Sequence, residues 1–212
     1  MKSFIQLFLL TLSIYCFGFA YAATPEFKAG VHYVEVEGEL SKTPQATEFF
    51  SFYCPHCYRF EPFMADVAAM LPNPEAFKKM HVDGMPGRNQ EIERMLSTSL
   101  AAANVLKVKD KIVPAIFKYI HEDRANFSNE KDVKNLFLLH GVSSEDYDKT
   151  VKSFKVKAMV SKMSKDTEAL RRQGHTRVPT LIINNKYKPE VSSLRSEAEY
   201  KALVAYLLKK TA

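Results

Sequence analysis

The sequence predicts an α/β protein in which an all-helical insertion interrupts a sheet-containing domain. Three observations predict it. Residues 31–36, 45–53, 77–82 and 180–183 are rich in β-branched and aromatic side chains, the mark of strands, and they lie towards the two ends of the chain. From about 87 to 154 glycine is scarce, apolar residues recur at helical spacing and no β-like run of any length occurs. The length of 212 residues allows one sizeable core or a domain with an inserted subdomain. With 46% hydrophobic and 25% charged residues, the composition excludes wholesale disorder, collagen and a multi-span membrane architecture.

The elements follow in order. Met1-Lys2-Ser3, an apolar run over 4–19 and the ending Ala20-Tyr21-Ala22 are the three parts of a secretory signal peptide. Residues 1–22 are therefore expected to be removed, Cys16 with them. An uncleaved membrane anchor is the alternative, weighed against by Gln6, Thr11, Ser13 and the small-x-small ending. The first domain portion, 23–86, holds strands at 31–36 and 45–53. A helix then carries Phe60, Phe63, Met64, Val67 and Leu71 and stops before Pro72. Pro62 falls inside it and predicts a kink. A third strand covers 77–82. The insertion, 87–154, is expected to hold helices over about 88–106, 110–122 and 130–140, the last stopped by Gly141, and a further one capped by Ser143 to Asp146. The second portion, 155–212, continues helical to Gln173. It returns to strands at 180–183 and 186–188 around an Asn184-Asn185 turn, and ends in a helix capped by Ser196.

The formal net charge is +6, but the basic residues are spread out and interleaved with acids. That reads as solvated faces and gives no nucleic-acid surface. Once residues 1–22 leave, Cys54 and Cys57 are the remaining cysteines. One close pair with no framework points to redox chemistry in an exported protein. A zinc site needs four ligands, and the six histidines show no paired metal spacing. No metal and no other cofactor is expected.

Position gives the pair its chemistry. Cys54-Pro55-His56-Cys57 follows a buried strand and opens a helix. Pro55 suits the first helical position, which makes Cys54 the N-cap. The free amides and positive dipole end of the helix then favour the Cys54 thiolate. Cys54 is the expected nucleophile, and Cys57, one turn in and more buried, the resolving thiol. His56 is placed to add a hydrogen bond or positive charge to the same thiolate. Stabilising the thiolate stabilises the reduced protein, so the disulfide becomes a stronger oxidant.

Phe49-Phe50-Ser51-Phe52-Tyr53-Cys54-Pro55-His56-Cys57-Tyr58-Arg59-Phe60-Glu61 resembles the active-site segment of the DsbA family of periplasmic thiol:disulfide oxidoreductases. Val178-Pro179-Thr180 and the run Leu181 to Tyr187 resemble the cis-proline loop and hairpin of that family, and His81-Val82 leading into a helical insertion fits as well. The resemblance implies a thioredoxin fold interrupted by an inserted all-helical domain. It also implies a cis bond before Pro179, with Val178, Pro179 and Thr180 lying against the cysteines where an extended substrate binds. A buried acid at the place of Glu48 is implied to move protons to and from Cys57, with Glu61 tuning the site similarly. Arg177 departs from the small or uncharged residue of many relatives, and either reaches the Cys54 thiolate or steers substrates.

The expected function is that of a monomeric periplasmic enzyme whose Cys54–Cys57 disulfide passes to reduced or unfolded exported proteins through a mixed disulfide at Cys54. A DsbB-type, quinone-linked membrane partner is implied as its reoxidant. A disulfide isomerase or reductase, or a peptide-binding chaperone module with incidental cysteines, are the competing readings.

Overall fold

The computed structural model describes residues 26–212; the expected signal peptide and Cys16 lie outside them. The fold is a thioredoxin-type α/β sheet with a helical block inserted between two of its strands. The strands are β1 (Tyr33–Glu35), β2 (Ala46–Phe50), β3 (Phe77–His81), β4 (Thr180–Ile183) and β5 (Tyr187–Pro189), in the spatial order β1-β5-β4-β2-β3. β2 runs parallel to β3 and antiparallel to β4. β5 turns back antiparallel to β4, and β1 closes that edge.

Helix α1 (Pro55–Ala69) connects β2 to β3. The block consists of α2 (Gln90–Val105), α3 (Lys109–His121), α4 (Glu130–Leu139), α5 (Ser144–Val151) and α6 (Phe154–Arg172), and α7 (Glu197–Leu208) ends the chain. The helix starts obey local chemistry. Asn89, Asn129, Ser143, Ser153 and Ser196 each accept a backbone N–H of the first turn through the side chain.

Apolar side chains gather into two cores. One joins the sheet to the helical block, with Phe50, Phe52, Leu96, Leu100, Ile116 and Phe117 at its centre. The other lies among α1, α7 and the sheet, around Phe63, Met64, Val67, Leu203 and Leu207. α6 packs on both α2 and β3, so it ties the block to the sheet.

Two local expectations are corrected. β2 ends at Phe50 instead of Tyr53, because Ser51 starts a turn: its carbonyl accepts from the Cys54 amide at 3.1 Å and its hydroxyl from the Tyr53 amide at 3.2 Å. The strand after the hairpin begins at Tyr187, one residue later than expected. Asn184 and Asn185 both take the left-handed conformation (φ +51° and +59°), and the Lys186 amide still bonds back to Ile183 at 3.0 Å.

Candidate active site

The turn at Ser51–Tyr53 delivers Cys54 to the N-cap of α1, with extended backbone (φ −88°, ψ 113°) and Pro55 directly after it. Its Sγ accepts the Cys57 amide at 3.2 Å. The cap oxygen usual at such a position is replaced by sulfur, so the helix end solvates a thiolate. Cys54 retains 8% of its surface exposed and Cys57 none. Both are free thiols. The two sulfurs titrate in opposite directions. A hydrogen bond from the Cys57 thiol, the amides of Cys57 and His56, and the His56 charge together outweigh burial and hold Cys54 down at about 6. The hydrogen bond to Cys54, then burial, pushes Cys57 far up.

The peptide bond between Val178 and Pro179 is cis. The loop brings the Val178 carbonyl to 3.7 Å from the Cys54 sulfur. Thr180 opens β4 and donates its hydroxyl to the Arg177 carbonyl at 2.7 Å. Val178, Pro179 and Thr180 are half-buried beside the cysteine pair, while Arg177 is exposed. His56 is exposed too, and its Nδ1 accepts from the Arg59 guanidinium at 2.9 Å.

Below the pair lies an ion triad. The parallel register sets Glu48 of β2 opposite Lys79 of β3. Lys79 Nζ donates to Glu48 Oε2 and to Glu61 Oε1, each at 2.6 Å. Glu48 is wholly buried, its Oε1 lacks any protein partner, and desolvation pushes its carboxyl up to about 7 against the pull of Lys79. The two carboxylates in turn hold Lys79 above its ordinary value despite its burial. One proton thus sits at a poised site near neutral pH, and the Glu48 charge in turn raises Cys57.

Sequence reasoning missed Lys79. Its signal was present: Phe77, Lys79 and His81 share the inward period-2 phase of β3. It also gave His81 and His121 no part. His81 is buried against Phe50 and Phe52, with Nδ1 2.8 Å from the Ser97 hydroxyl, and burial lowers it to about 3. His121 donates Nε2–H to the Phe52 carbonyl at 2.8 Å and stacks flat on Tyr58 at 5.1 Å, bracing the turn that presents Cys54.

The arrangement can do one kind of chemistry. An accessible low-pKa sulfur can be attacked or displaced, a buried partner can resolve it, and an extended peptide can align beside the Val178 carbonyl. Known proteins agree with it. A family model described as a DSBA-like thioredoxin domain matches residues 80–200. The thiol:disulfide interchange protein DsbA of Pectobacterium carotovorum is 34% identical over 200 residues, covering 89% of this chain and 92% of the relative. That of Yersinia pestis is 33% identical over 76% of each chain. A solved structure of Proteus mirabilis DsbA, a cysteine-to-serine variant with the peptide PWATCDS bound non-covalently, superposes with a TM-score of 0.73 at 30% identity, over 88% of this chain and all of that one. With the family model spanning more than half of the chain and relatives at 30% identity or more over most of its length, the chain belongs to the DsbA family of thiol:disulfide oxidoreductases.

Proposed function

We propose that this oxidoreductase works as a disulfide donor to reduced proteins outside the cytoplasm. The observation that carries it is the opposite titration of its two sulfurs. At pH 7 a Cys54 thiol held at about 6, against an ordinary 9.0, is an anion in the reduced protein. That favours the reduced form by about 1.4 kcal/mol, or about 30 mV for a two-electron couple. Cys57, raised, is a neutral thiol at that pH folded or unfolded and does not offset the gain.

In the cycle a substrate thiolate attacks Cys54 Sγ and the Cys54–Cys57 bond breaks. A mixed disulfide forms, and Cys57 leaves as a thiolate that takes up a proton. A second substrate thiolate then attacks the substrate sulfur of the mixed disulfide and expels the Cys54 thiolate. Two electrons pass from the substrate dithiol to the cysteine pair, which is its own redox centre and takes no metal or other cofactor. Glu48, with Lys79 and Glu61, supplies and removes the Cys57 proton. Val178, Pro179 and Thr180 align the substrate backbone, Pro55 fixes the first turn, and the His56 amide and side chain join the groups that lower Cys54.

Residues 1–22 act as a cleaved export signal, the periplasm is the site of action, and the chain works as a monomer. A DsbB-type quinone-linked membrane protein takes the two electrons. Among the described residues no helix is long and apolar enough to cross a membrane, so the reoxidant is a separate chain on this reading. The test is the reduction potential of residues 23–212 equilibrated with glutathione. A value well above the glutathione couple is expected; one near the about −270 mV of thioredoxin turns the reading to a reductase.

A further inference from the structure

Three arginines lie on three different segments that border Cys54. Arg59 lies one turn into α1, exposed, with its guanidinium on His56. Arg88, exposed on the loop between β3 and α2, stands over the ring of Tyr53 at 4.6 Å, next in sequence to Cys54. Arg177, exposed, directly precedes Val178, whose carbonyl faces the Cys54 sulfur. None of the three is ion-paired: the arginine pairs among the described residues are Arg94 with Asp83 and Arg172 with Glu168.

The nearby acids are already engaged. Asp83 holds Arg94, and its carbonyl accepts from Arg171 at 2.9 Å. Glu93 is buried, with Oε2 accepting the amides of Gly84 and Met85 at 2.6 and 2.8 Å. On the other side, Tyr58 donates to Glu122 and Lys118 pairs with Asp123. A free guanidinium offers a planar fork that fits a carboxylate, and a cluster of one sign raises both capture rate and residence of the opposite sign.

We propose that Arg59, Arg88 and Arg177 form a cationic rim that makes this enzyme prefer substrate cysteines flanked by aspartate or glutamate. The inference rests on the disulfide-donor reading and names the substrate class of that same site. A substrate strand lying along the Val178 loop carries the residues that flank its cysteine past the segments that bear these arginines. The chemical step is the two-electron exchange already given. The rim changes how often and how long the attacking thiolate meets Cys54.

The test uses three dithiol peptides that differ in one respect, with Asp, Ser or Lys flanking each cysteine. Oxidised protein reacts with each at low ionic strength, and each rate is divided by that peptide's rate with hydroxyethyl disulfide. The division removes the effect of the flanking charges on the peptide thiols themselves. The Asp peptide should react about tenfold faster than the Ser peptide and the Lys peptide slower still, with the spread collapsing at about 0.5 M salt. Charge reversal, Arg88→Glu with Arg177→Glu or Arg177→Glu alone if the pair misfolds, should invert the order. Equal normalised rates in the native protein, or an order unchanged by the reversal, overturn the rim while the donor function stands. Failure to oxidise any of the three overturns the donor reading and the rim with it.

Discussion

Cys54 and Cys57 are three residues apart on one helix, yet the molecule treats them as different functional groups. Cys54 faces the more open and more cationic side, with a helix N-terminus and the exposed Arg59, Arg88 and Arg177. Cys57 is wholly buried, and besides Cys54 the charged group that raises it is Glu48, held in the triad with Lys79 and Glu61. The contrast teaches that a dithiol site is built by asymmetry of surroundings. Identical side chains become a leaving group and a proton-holding thiol because one sits at the end of a helix and the other one turn inside it.

The largest way to break that asymmetry is to remove the open sulfur. Cys54→Ser should lower oxidation of a dithiol peptide by at least about a thousandfold, since the other cysteine among the described residues, Cys57, is wholly buried. Cys57→Ser, loaded beforehand at Cys54 with a glutathione mixed disulfide, should exchange with a monothiol peptide, releasing glutathione and leaving the peptide linked to Cys54 on non-reducing gels. Turnover that survives Cys54→Ser would support the chaperone reading.

A smaller effect comes from the charge on the open side. His56→Ala removes one amongst several groups lowering Cys54, so its thiolate pKa, followed by absorbance at 240 nm, should rise by up to about one unit. The glutathione equilibrium should then move up to about tenfold, or about 30 mV, towards the disulfide. The sign is checked by pH. Cys54 is depressed on folding, so its contribution to the reduced protein is present above the ordinary value of 9.0 and is lost as pH falls through about 6. An unchanged potential would show that the helix end and the Cys57 thiol suffice.

On the closed side Glu48→Gln deletes a group that titrates near neutrality. The pH dependence of the exchange rate between about 6 and 8 should flatten, with a several-fold loss of rate. Stability gives a second reading of the same group. A carboxyl raised to about 7 contributes stability that is full below its ordinary 4.5 and is lost as pH rises through about 7. Across about pH 5 to 7 the native protein should therefore lose up to about 1.4 kcal/mol per pH unit relative to Glu48→Gln, read by urea unfolding. Parallel curves for the two proteins would place the titration elsewhere.

The smallest effect on activity belongs to His81, which touches neither sulfur. Its folded value of about 3, against 6.5, means that its stability contribution is present above 6.5 and is lost as pH falls towards 3. His81→Phe should make the reduced protein less acid-sensitive between about pH 6.5 and 4 without moving the reduction potential. A shift in potential would join this core to the site.

The sequence showed most of what the backbone does and little of what charges do underneath it. The strand–CPHC–helix order was legible because Pro55 fixes the first turn, and that alone placed Cys54 at a helix end. The Val178-Pro179-Thr180 loop was legible through family resemblance. Glu48 stood out as an acid inside an aromatic strand, but its counter-ion did not. Lys79 follows Lys78 in a run that reads as surface charge, and only the pairing of β2 with β3 turns one of the two inwards. The end of β2 was also overshot, since Phe52 and Tyr53 have strand-forming side chains while the Ser51 hydroxyl sets a turn. Contacts between distant segments, such as His121 with the Phe52 carbonyl, left no local pattern to read.

The sheet order β1-β5-β4-β2-β3 has a consequence for a chain made from its N-terminus. β2 meets its partner β3 after only a helix, so Glu48 finds Lys79 early in synthesis. The opposite flank of β2 stays bare until β4 arrives, beyond the whole helical block. Throughout that interval the cysteine pair exists without the Val178 loop beside it, and one edge of a strand that ends up wholly buried offers unpaired amides to any extended polypeptide nearby. The enzyme's own late strand therefore competes, during each molecule's making, with the kind of extended segment that the finished enzyme is built to receive.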